Sequence, residues 1–203
     1  MPELKLFVVA GPNGSGKSLF SKELTTSDYE VFDGDKHMTM LAKNFPETGS
    51  EALWSYINNQ LFEQEKQQAM LSNHNYAFET NFSASDPMIS VREFKDKGYE
   101  AHLIFIGLNS LEESVQRVEF RVRTGGHKVT EDSIRYNYEH GFKNLYKYFR
   151  DFDSVTLLDN SIADRDEAVT PKEILHIVEN KLHLENKPYP DWVKPIIDAF
   201  NLS

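Results

Sequence analysis

Apolar and polar positions alternate in blocks along this 203-residue chain, and the blocks predict strands separated by helices. Residues 4–10 and 101–108 are short, almost wholly apolar and rich in β-branched side chains, which is typical of strands buried on both faces. Shorter runs at residues 29–33, 76–79 and 154–158 predict three further strands. Strands that alternate with helices indicate the α/β class.

Helical patterns fill the segments between these strands. Residues 19–24 begin a helix, and residues 52–72 predict a long one. Asp86 and Pro87 form the start of another, as an N-cap followed by a proline in the first turn. Two later helices are predicted from apolar stripes, one with Ile134, Tyr138, Phe142 and Leu145, and a final one with Ile174, Val178 and Leu182.

One glycine-rich segment fits neither pattern and carries the chemistry. The residues from Gly11 to Ser18 match the phosphate-binding signature G-x-x-x-x-G-K-[ST], between a predicted strand and a predicted helix as that signature requires. Its glycines let backbone N–H groups turn toward phosphate, and the helix N-terminus adds partial positive charge. Lys17 is expected to reach the β- and γ-phosphates of ATP, and Ser18 to hold Mg²⁺. The residues expected to bind ATP are Gly11, Pro12, Asn13, Gly14, Ser15, Gly16, Lys17 and Ser18.

The loop and the order of elements predict a single P-loop NTPase domain over residues 1–203. Its expected core is a three-layer α/β sandwich, with a mostly parallel sheet of about five strands, helices on both faces and a helical lid. Residues 186–203, which include Trp192, are expected to pack on this domain as a tail. Ligands of such sheets bind beyond the carboxyl ends of the strands, where we therefore expect the site.

Acidic residues follow two of the predicted strands at this edge. Asp35 is expected to accept a proton from the hydroxyl of a small-molecule acceptor, with an ordinary Asp-Gly turn as the alternative. Asp33 or Glu79 is expected to assist Ser18 at Mg²⁺, through water. Glu79 and Thr80 are candidates to bind the acceptor, with a solvated strand end as the alternative.

A cluster of cations predicts a lid over the triphosphate. Arg117 and Arg121 are candidate catalytic residues because they lie four apart on one helix face, and arginine binds phosphate with two parallel hydrogen bonds. The alternative is a solvated face on which Glu113 pairs with Arg117. The glycines at positions 125 and 126 would form a hinge. The other lid candidates are Arg123, His127 and Lys128, and Asn160 is the candidate near the nucleotide base.

Composition limits the classes of partner. The formal net charge of -10 argues against nucleic acid as the main partner. The chain has no cysteine, which excludes disulfides and thiolate metal sites and suits the cytoplasm. No apolar stretch is long enough to cross a bilayer, so no membrane partner is expected.

With these motifs, the sequence resembles the zeta-toxin family of P-loop kinases, from the first strand to about Asn160. The resemblance rests on residues 8–18, 33–35, 79–80, 103–108, 113–118, 121–127 and 159–161. It implies an ATP- and Mg²⁺-dependent kinase related to small-molecule kinases such as chloramphenicol phosphotransferase. Toxin members of this family phosphorylate the 3′-hydroxyl of UDP-N-acetylglucosamine, and a separate antitoxin protein is a possible partner.

The resemblance also implies individual roles. Lys17 and Ser18 match the residues that bind triphosphate and Mg²⁺, Asp35 matches the catalytic base, and Arg117 matches one phosphate-binding arginine. Glu79 and Thr80 match the strand end that contacts the acceptor. The second phosphate-binding cation stays open among Arg121, Arg123, His127 and Lys128. Residues 36–50 match loosely, which leaves the acceptor open.

The sequence therefore predicts a kinase that transfers the γ-phosphoryl group of ATP to a hydroxyl of a small acceptor, with a UDP-amino sugar as one candidate. The alternative is a switch protein that binds or hydrolyses ATP to control a protein partner. The kinase requires an acceptor pocket beside Lys17, whereas the switch does not.

Overall fold

The computed structural model describes residues 3–25, 30–124, 129–161, 170–184 and 187–201. Its centre is one six-stranded sheet in the order β2-β1-β3-β4-β5-β6. The strands are β1 (Lys5–Ala10), β2 (Tyr76–Thr80), β3 (Glu100–Gly107), β4 (Ser154–Asp159), β5 (Lys172–Val178) and β6 (Lys181–Leu184). The first four are parallel, and the last two extend the sheet as antiparallel strands. The predicted α/β class with a mostly parallel sheet is confirmed.

Helices connect the parallel strands, as crossovers between parallel neighbours require. They are α1 (Lys17–Leu24), α2 (Gly34–Asn44), α3 (Ser50–Tyr56), α4 (Phe62–Ser72), α5 (Pro87–Asp96), α6 (Leu111–Arg123), α7 (Glu131–Tyr148) and α8 (Lys194–Asn201). A π-helical turn, Ile57–Leu61, joins α3 to α4. The long helix predicted over residues 52–72 is therefore present, with this wider turn near its middle. None of the helices in the described ranges is both long and apolar enough to cross a membrane.

The two faces of the sheet bury different cores. Side chains alternate along β1, so Leu6 and Val8 face one core while Phe7 and Val9 face the other. The larger core takes in apolar residues of α2 to α5, α7 and α8, and the smaller one packs against Phe20 and Leu24 of α1. Helices therefore lie on both faces, and nearly all of β1 is buried, which explains its continuous apolar sequence.

The strand predicted over residues 29–33 is wrong, although Tyr29 itself lies outside the described residues. Phe32 forms an isolated parallel bridge with Phe78, and no longer strand follows. The chain leaves the sheet because Asp33 caps α2, where its carboxylate accepts a hydrogen bond from the Lys36 backbone N–H at 3.1 Å. Asp33 is thus the N-cap of α2, which begins at the next residue, and the extended segment ends there.

The helix predicted to carry Ile174, Val178 and Leu182 is also wrong, because this segment is the β5–β6 hairpin. Glu179 and Asn180 form its turn with positive φ values of 49° and 56°, the conformation that two-residue hairpins require. A spacing of four is compatible with one face of a strand as well as with a helix. Pairing with β4, which the local sequence does not reveal, decided the outcome.

The C-terminal segment contacts the larger core through Trp192. The Trp192 ring lies 5.5 Å from that of Phe142 and 6.0 Å from that of Phe105, measured between centroids. A Cβ atom on Gly107 would come within 2.4 Å of the indole, so only glycine fits at this position of β3. Trp192 and Val193 are both buried. Described residues 187–201 thus lie against the sheet-and-helix body.

Candidate active site

The carboxyl ends of β1 and β2 open into a cleft of about 1480 Å³. The glycine-rich loop between β1 and α1 forms its floor, and α2, α5 and α6 contribute to its walls. The predicted site residues that line it are Asn13, Gly14, Gly16, Lys17, Ser18, Asp33, Asp35, Glu79, Thr80, Arg117, Arg121, Arg123 and Asn160. Residues from five separate stretches of the chain are thus brought to one cavity.

The loop has the geometry of a phosphate cradle. Gly16 precedes α1 in a left-handed conformation, with φ 92°, and no side chain caps this helix. Gly14, at φ 76°, packs so closely on α6 that a Cβ atom would lie 2.9 Å from the Cβ of Arg117. An uncapped helix N-terminus after left-handed glycines favours anion binding. These residues therefore fit the phosphates of ATP.

Lys17 is held above the loop by oxygen atoms. Its Nζ donates hydrogen bonds to the carbonyl oxygens of Gly11 at 2.8 Å and Pro12 at 3.1 Å, and to Oδ1 of Asn81 at 3.0 Å. Burial lowers the pKa of Lys17, and the nearby carboxylates of Glu79, Asp35 and Asp33 act in the opposite direction. A partly desolvated ammonium attracts a phosphate more strongly than a fully solvated one does.

Ser18 and Glu79 form the group that fits a magnesium ion. The Ser18 hydroxyl donates to Oε2 of Glu79 at 2.7 Å, and Ser21, which sequence reasoning missed, donates to Oε1 at the same distance. Both carboxylate oxygens are thus aligned at the start of α1. Hydroxyl and carboxylate oxygens, together with phosphates and water, are the ligands that Mg²⁺ takes in kinases. The residues present therefore fit the ion that the loop implies.

Burial raises the pKa of Glu79, and the negative charge of Asp33 adds to this effect. The folded protein therefore keeps the Glu79 proton at pH values where the unfolded chain has lost it. It follows that this residue makes the protein less stable as the pH rises from the ordinary glutamate value of about 4.3 through the raised one.

Replacing Glu79 with glutamine should therefore raise stability at pH 7.5 while leaving it nearly unchanged at pH 4. Urea unfolding at both values measures the effect, with the exposed Glu23→Gln on α1 as the control. A stability difference that is the same at both pH values would contradict this account.

The same variant, Glu79→Gln, should lose the stabilisation that Mg²⁺ and ATP together give the wild type.

Asp33 has a structural role at the start of α2 in addition to its place in the cleft. Its carboxylate caps the helix, and the residue is buried. Asp33→Ala should lower the free energy of unfolding by about 1 kcal/mol, measured by urea denaturation. Asn is an equally good cap, so Asp33→Asn should restore most of the loss. Equal destabilisation by both substitutions would show that the cap is not responsible.

Asp35 lies in the first turn of α2 and lines the cleft. Its negative charge is one of those that raise the pKa of Lys17 against the effect of burial. Thr80, the last residue of β2, turns its hydroxyl toward the chain, where it accepts a hydrogen bond from the Phe82 N–H at 2.9 Å. Asp35, Glu79 and Lys17 thus line the same cleft.

Arg117 joins α6 to the glycine-rich loop. Its guanidinium pairs with Glu113 at 2.7 Å, the ion pair weighed as the alternative from the sequence, and donates to the carbonyl oxygens of Gly14 and Asn160. Asn160 in turn donates from Nδ2 to the carbonyl oxygen of Ser15 at 2.9 Å. Arg117 and Asn160 therefore hold the phosphate loop in place as well as lining the cleft.

The rest of the predicted lid is only partly described. Arg121 and Arg123 line the cleft from the last turn of α6. Arg123 lies 3.7 Å from Glu119 in an exposed i,i+4 pair. His127 and Lys128, with the glycines at positions 125 and 126, lie outside the described residues. The lid and its second phosphate-binding cation stay predictions.

An amide network supports the loop from α7, and sequence reasoning missed it. Nδ2 of Asn137 donates to Oδ1 of the buried Asn13 at 2.8 Å, and the Ser83 hydroxyl donates to Oδ1 of Asn137 at 2.8 Å. The Ser114 hydroxyl donates to the carbonyl oxygen of Asn13 at 2.6 Å. These partners lie between 54 and 124 residues apart, so no local pattern could identify them.

Known proteins resemble this chain in sequence. A family model described as Zeta toxin matches residues 3–171. An uncharacterized protein from Haemophilus influenzae is 25% identical over 139 residues, which are 66% of this chain and 92% of that protein.

Solved structures share the fold at low sequence identity. The AvrRxo1-ORF1:-ORF2 complex with ATP has a TM-score of 0.67 at 15% identity, over 91% of this chain and 61% of that chain. The present chain therefore spans less than two thirds of that protein. A structure from the PezAT chromosomal toxin-antitoxin system of Streptococcus pneumoniae has a TM-score of 0.58 at 17% identity, over 79% of this chain and 70% of that one. Since the family model covers most of the sequence, the chain belongs to the zeta toxin family.

Proposed function

We propose that this protein is an ATP-dependent kinase that transfers the γ-phosphoryl group to a hydroxyl of a small acceptor. One observation carries the proposal. The phosphate loop, Lys17, the Ser18–Glu79 pair and Asp35 line a single cleft, whose volume extends well beyond what the loop itself needs. A site built for hydrolysis or switching alone has no need of that additional space.

Each residue has a defined task in this reaction. Backbone N–H groups of the loop and the Lys17 ammonium would bind the phosphates, with phosphate oxygens replacing the carbonyl oxygens that now accept from Nζ. Ser18 and Glu79 would hold Mg²⁺, which neutralises charge on the β- and γ-phosphates. Asp35 would accept the proton of the acceptor hydroxyl while its oxygen attacks the γ-phosphorus. The bond from that phosphorus to the β–γ bridging oxygen breaks, and ADP leaves.

Partner and location follow from the same proposal. The PezAT structure belongs to a toxin-antitoxin system, which supports a separate antitoxin protein as a partner of this chain. A kinase that uses ATP and Mg²⁺ would act in the cytoplasm. The family resemblance suggests a UDP-amino sugar as acceptor, and a smaller hydroxyl compound is equally compatible with the chemistry.

Incubation with γ-labelled ATP, Mg²⁺ and a panel of hydroxyl compounds tests the kinase directly. Label should move from ATP to a small molecule that separates from free phosphate by chromatography. Release of free phosphate alone, whatever the acceptor, would contradict the kinase and favour the switch protein. The Lys17→Ala protein should give neither product.

A further inference from the structure

The cleft continues past Asp35 into a second half, called here the acceptor half. It is lined by residues of the α3–α4 segment and of α5. The residues that matter for its chemistry are Trp54, Asn58, Asn59, Glu63, Asp86 and Glu93. None of them was singled out as a site residue from the sequence, and they come from stretches up to about 40 positions apart.

The acceptor half is negatively charged. Lys66 is the single cation among its described lining residues, and it is only 2% exposed. Its Nζ is 2.6 Å from Oε1 of Glu63 and 2.6 Å from Oε2 of Glu93, so one positive charge is shared by two carboxylates. Both carboxylates remain partly exposed to the cleft. The triad therefore keeps a net negative charge, and Asp86 and Asp35 add to it.

Positive charge lies at the other end of the cleft. Lys17, Arg117, Arg121 and Arg123 line the half formed by the phosphate loop and α6, where the phosphates of ATP would bind. This separation has a direct consequence for the acceptor. A nucleotide diphosphate sugar would bring two further negative charges next to Glu63, Asp86 and Glu93, and the described residues offer that diphosphate no uncommitted cation.

An aromatic ring and two amides complete the acceptor half. The π-helical turn contains Asn58 and Asn59 and brings both to the cleft, and such turns are frequent at functional sites. Trp54 precedes the turn and packs over Gly34, where a Cβ atom would lie 3.2 Å from the indole Cζ3. Amides donate to and accept from hydroxyl groups, whereas indole faces and carboxylates both attract ammonium groups.

We propose that the acceptor is a small polyhydroxy compound with a free ammonium group, such as an amino sugar or an aminocyclitol. The proposal rests on the kinase function proposed above. The ammonium would lie beside the carboxylates of Glu63, Glu93 and Asp86 and the ring of the acceptor beside Trp54, while Asn58 and Asn59 bind hydroxyls. One hydroxyl faces Asp35, which takes its proton as the oxygen bonds to the γ-phosphorus and ADP leaves.

Three probe compounds that share a hexose ring but differ in charge test this proposal. They are glucosamine as the cation, glucose as the neutral analogue and UDP-N-acetylglucosamine as the anion. Phosphoryl transfer from labelled ATP gives kcat/KM for each. Quenching of tryptophan fluorescence gives binding without chemistry, with Trp54→Phe to show that the signal comes from the cleft, because Trp192 is buried elsewhere.

The cationic probe should bind and be phosphorylated at least about tenfold more efficiently than the neutral one, and the anionic probe should do neither. Asp86→Asn should lower the ratio of kcat/KM for glucosamine to kcat/KM for glucose by about fivefold, and it should still fold because Asp86 is exposed and makes no capping hydrogen bond. Asp151→Asn removes an exposed carboxylate at the opposite edge of the sheet and should change neither value.

The possible failures can be told apart. Efficient phosphorylation of UDP-N-acetylglucosamine, or equal use of glucose and glucosamine, would overturn the ammonium acceptor while leaving the kinase intact. Quenching by glucosamine without transfer to any probe would overturn the kinase while supporting the charge preference of the cleft. Absence of both binding and transfer with glucosamine would overturn the ammonium acceptor directly.

Discussion

Lys17→Ala is expected to lower phosphoryl transfer by at least about a thousandfold. The reason is the position of the ammonium, which lies at the phosphate loop within the field of Glu79 and Asp35. Alanine would remove the charge that neutralises the transferred phosphoryl group, and no other described lysine lines the cleft near the loop. Steady-state kinetics with labelled ATP measures the loss.

The control for this variant lies one turn along the same helix. Lys22→Ala removes an exposed lysine in the last turn of α1 and should keep wild-type activity. Lys17→Ala should unfold close to the wild-type temperature, because burial already disfavours the charged lysine in the folded protein. Retention of more than about a tenth of the activity by a folded Lys17→Ala protein would remove Lys17 from the mechanism.

Asp35→Ala is expected to lower turnover by at least about a hundredfold while leaving the affinity for ATP nearly unchanged. The carboxylate lines the cleft at the junction between the phosphate loop and the acceptor half. Loss of a proton acceptor would reduce the rate of the chemical step, whereas the affinity for ATP would depend on the phosphate loop. Single-turnover kinetics and an ATP-binding titration separate the two quantities.

The matched comparison is Asp33→Asn, two residues away. This variant keeps the helix cap and should lose no more than about tenfold in turnover. If Asp33→Asn were the inactive variant and Asp35→Ala the active one, the base assignment would move to Asp33. Near-normal turnover in both variants would leave neither aspartate as the base.

Local patterns identified much of the fold and part of the site. The apolar runs of β1 and β3 predicted buried strands, because strands covered on both faces are apolar along their whole length. The glycine-rich loop predicted a phosphate site, because the spacing of its glycines and lysine determines how its backbone N–H groups can face a phosphate. The two incorrect elements are those where a local signal was ambiguous. The strand predicted over residues 29–33 is replaced by an isolated bridge at Phe32, because Asp33 caps the next helix. The apolar residues of the β5–β6 hairpin have a spacing that also fits a helix.

The roles of individual side chains depended on contacts between distant residues. The side-chain oxygen that accepts a hydrogen bond from Lys17 belongs to Asn81, 64 positions away, and no sequence pattern distinguishes Asn81 from its neighbours. Arg117 was predicted to bind phosphate, and the structure adds that its guanidinium fastens α6 to the loop through Gly14 and Asn160. Neither role is encoded in a motif.

The sequence by itself determined the buried strand, the glycine-rich loop and the helix that follows it, and predicted a triphosphate site there, since hydrophobic periodicity and glycine spacing act over a few residues. Only the tertiary structure decided what surrounds that site. The sheet order brings Lys17, Asp35 and Glu79 to one cleft, because the carboxyl ends of parallel strands share an edge. The charge and shape of the acceptor half arise from packing α3, α4 and α5 together, which no local stretch of sequence specifies.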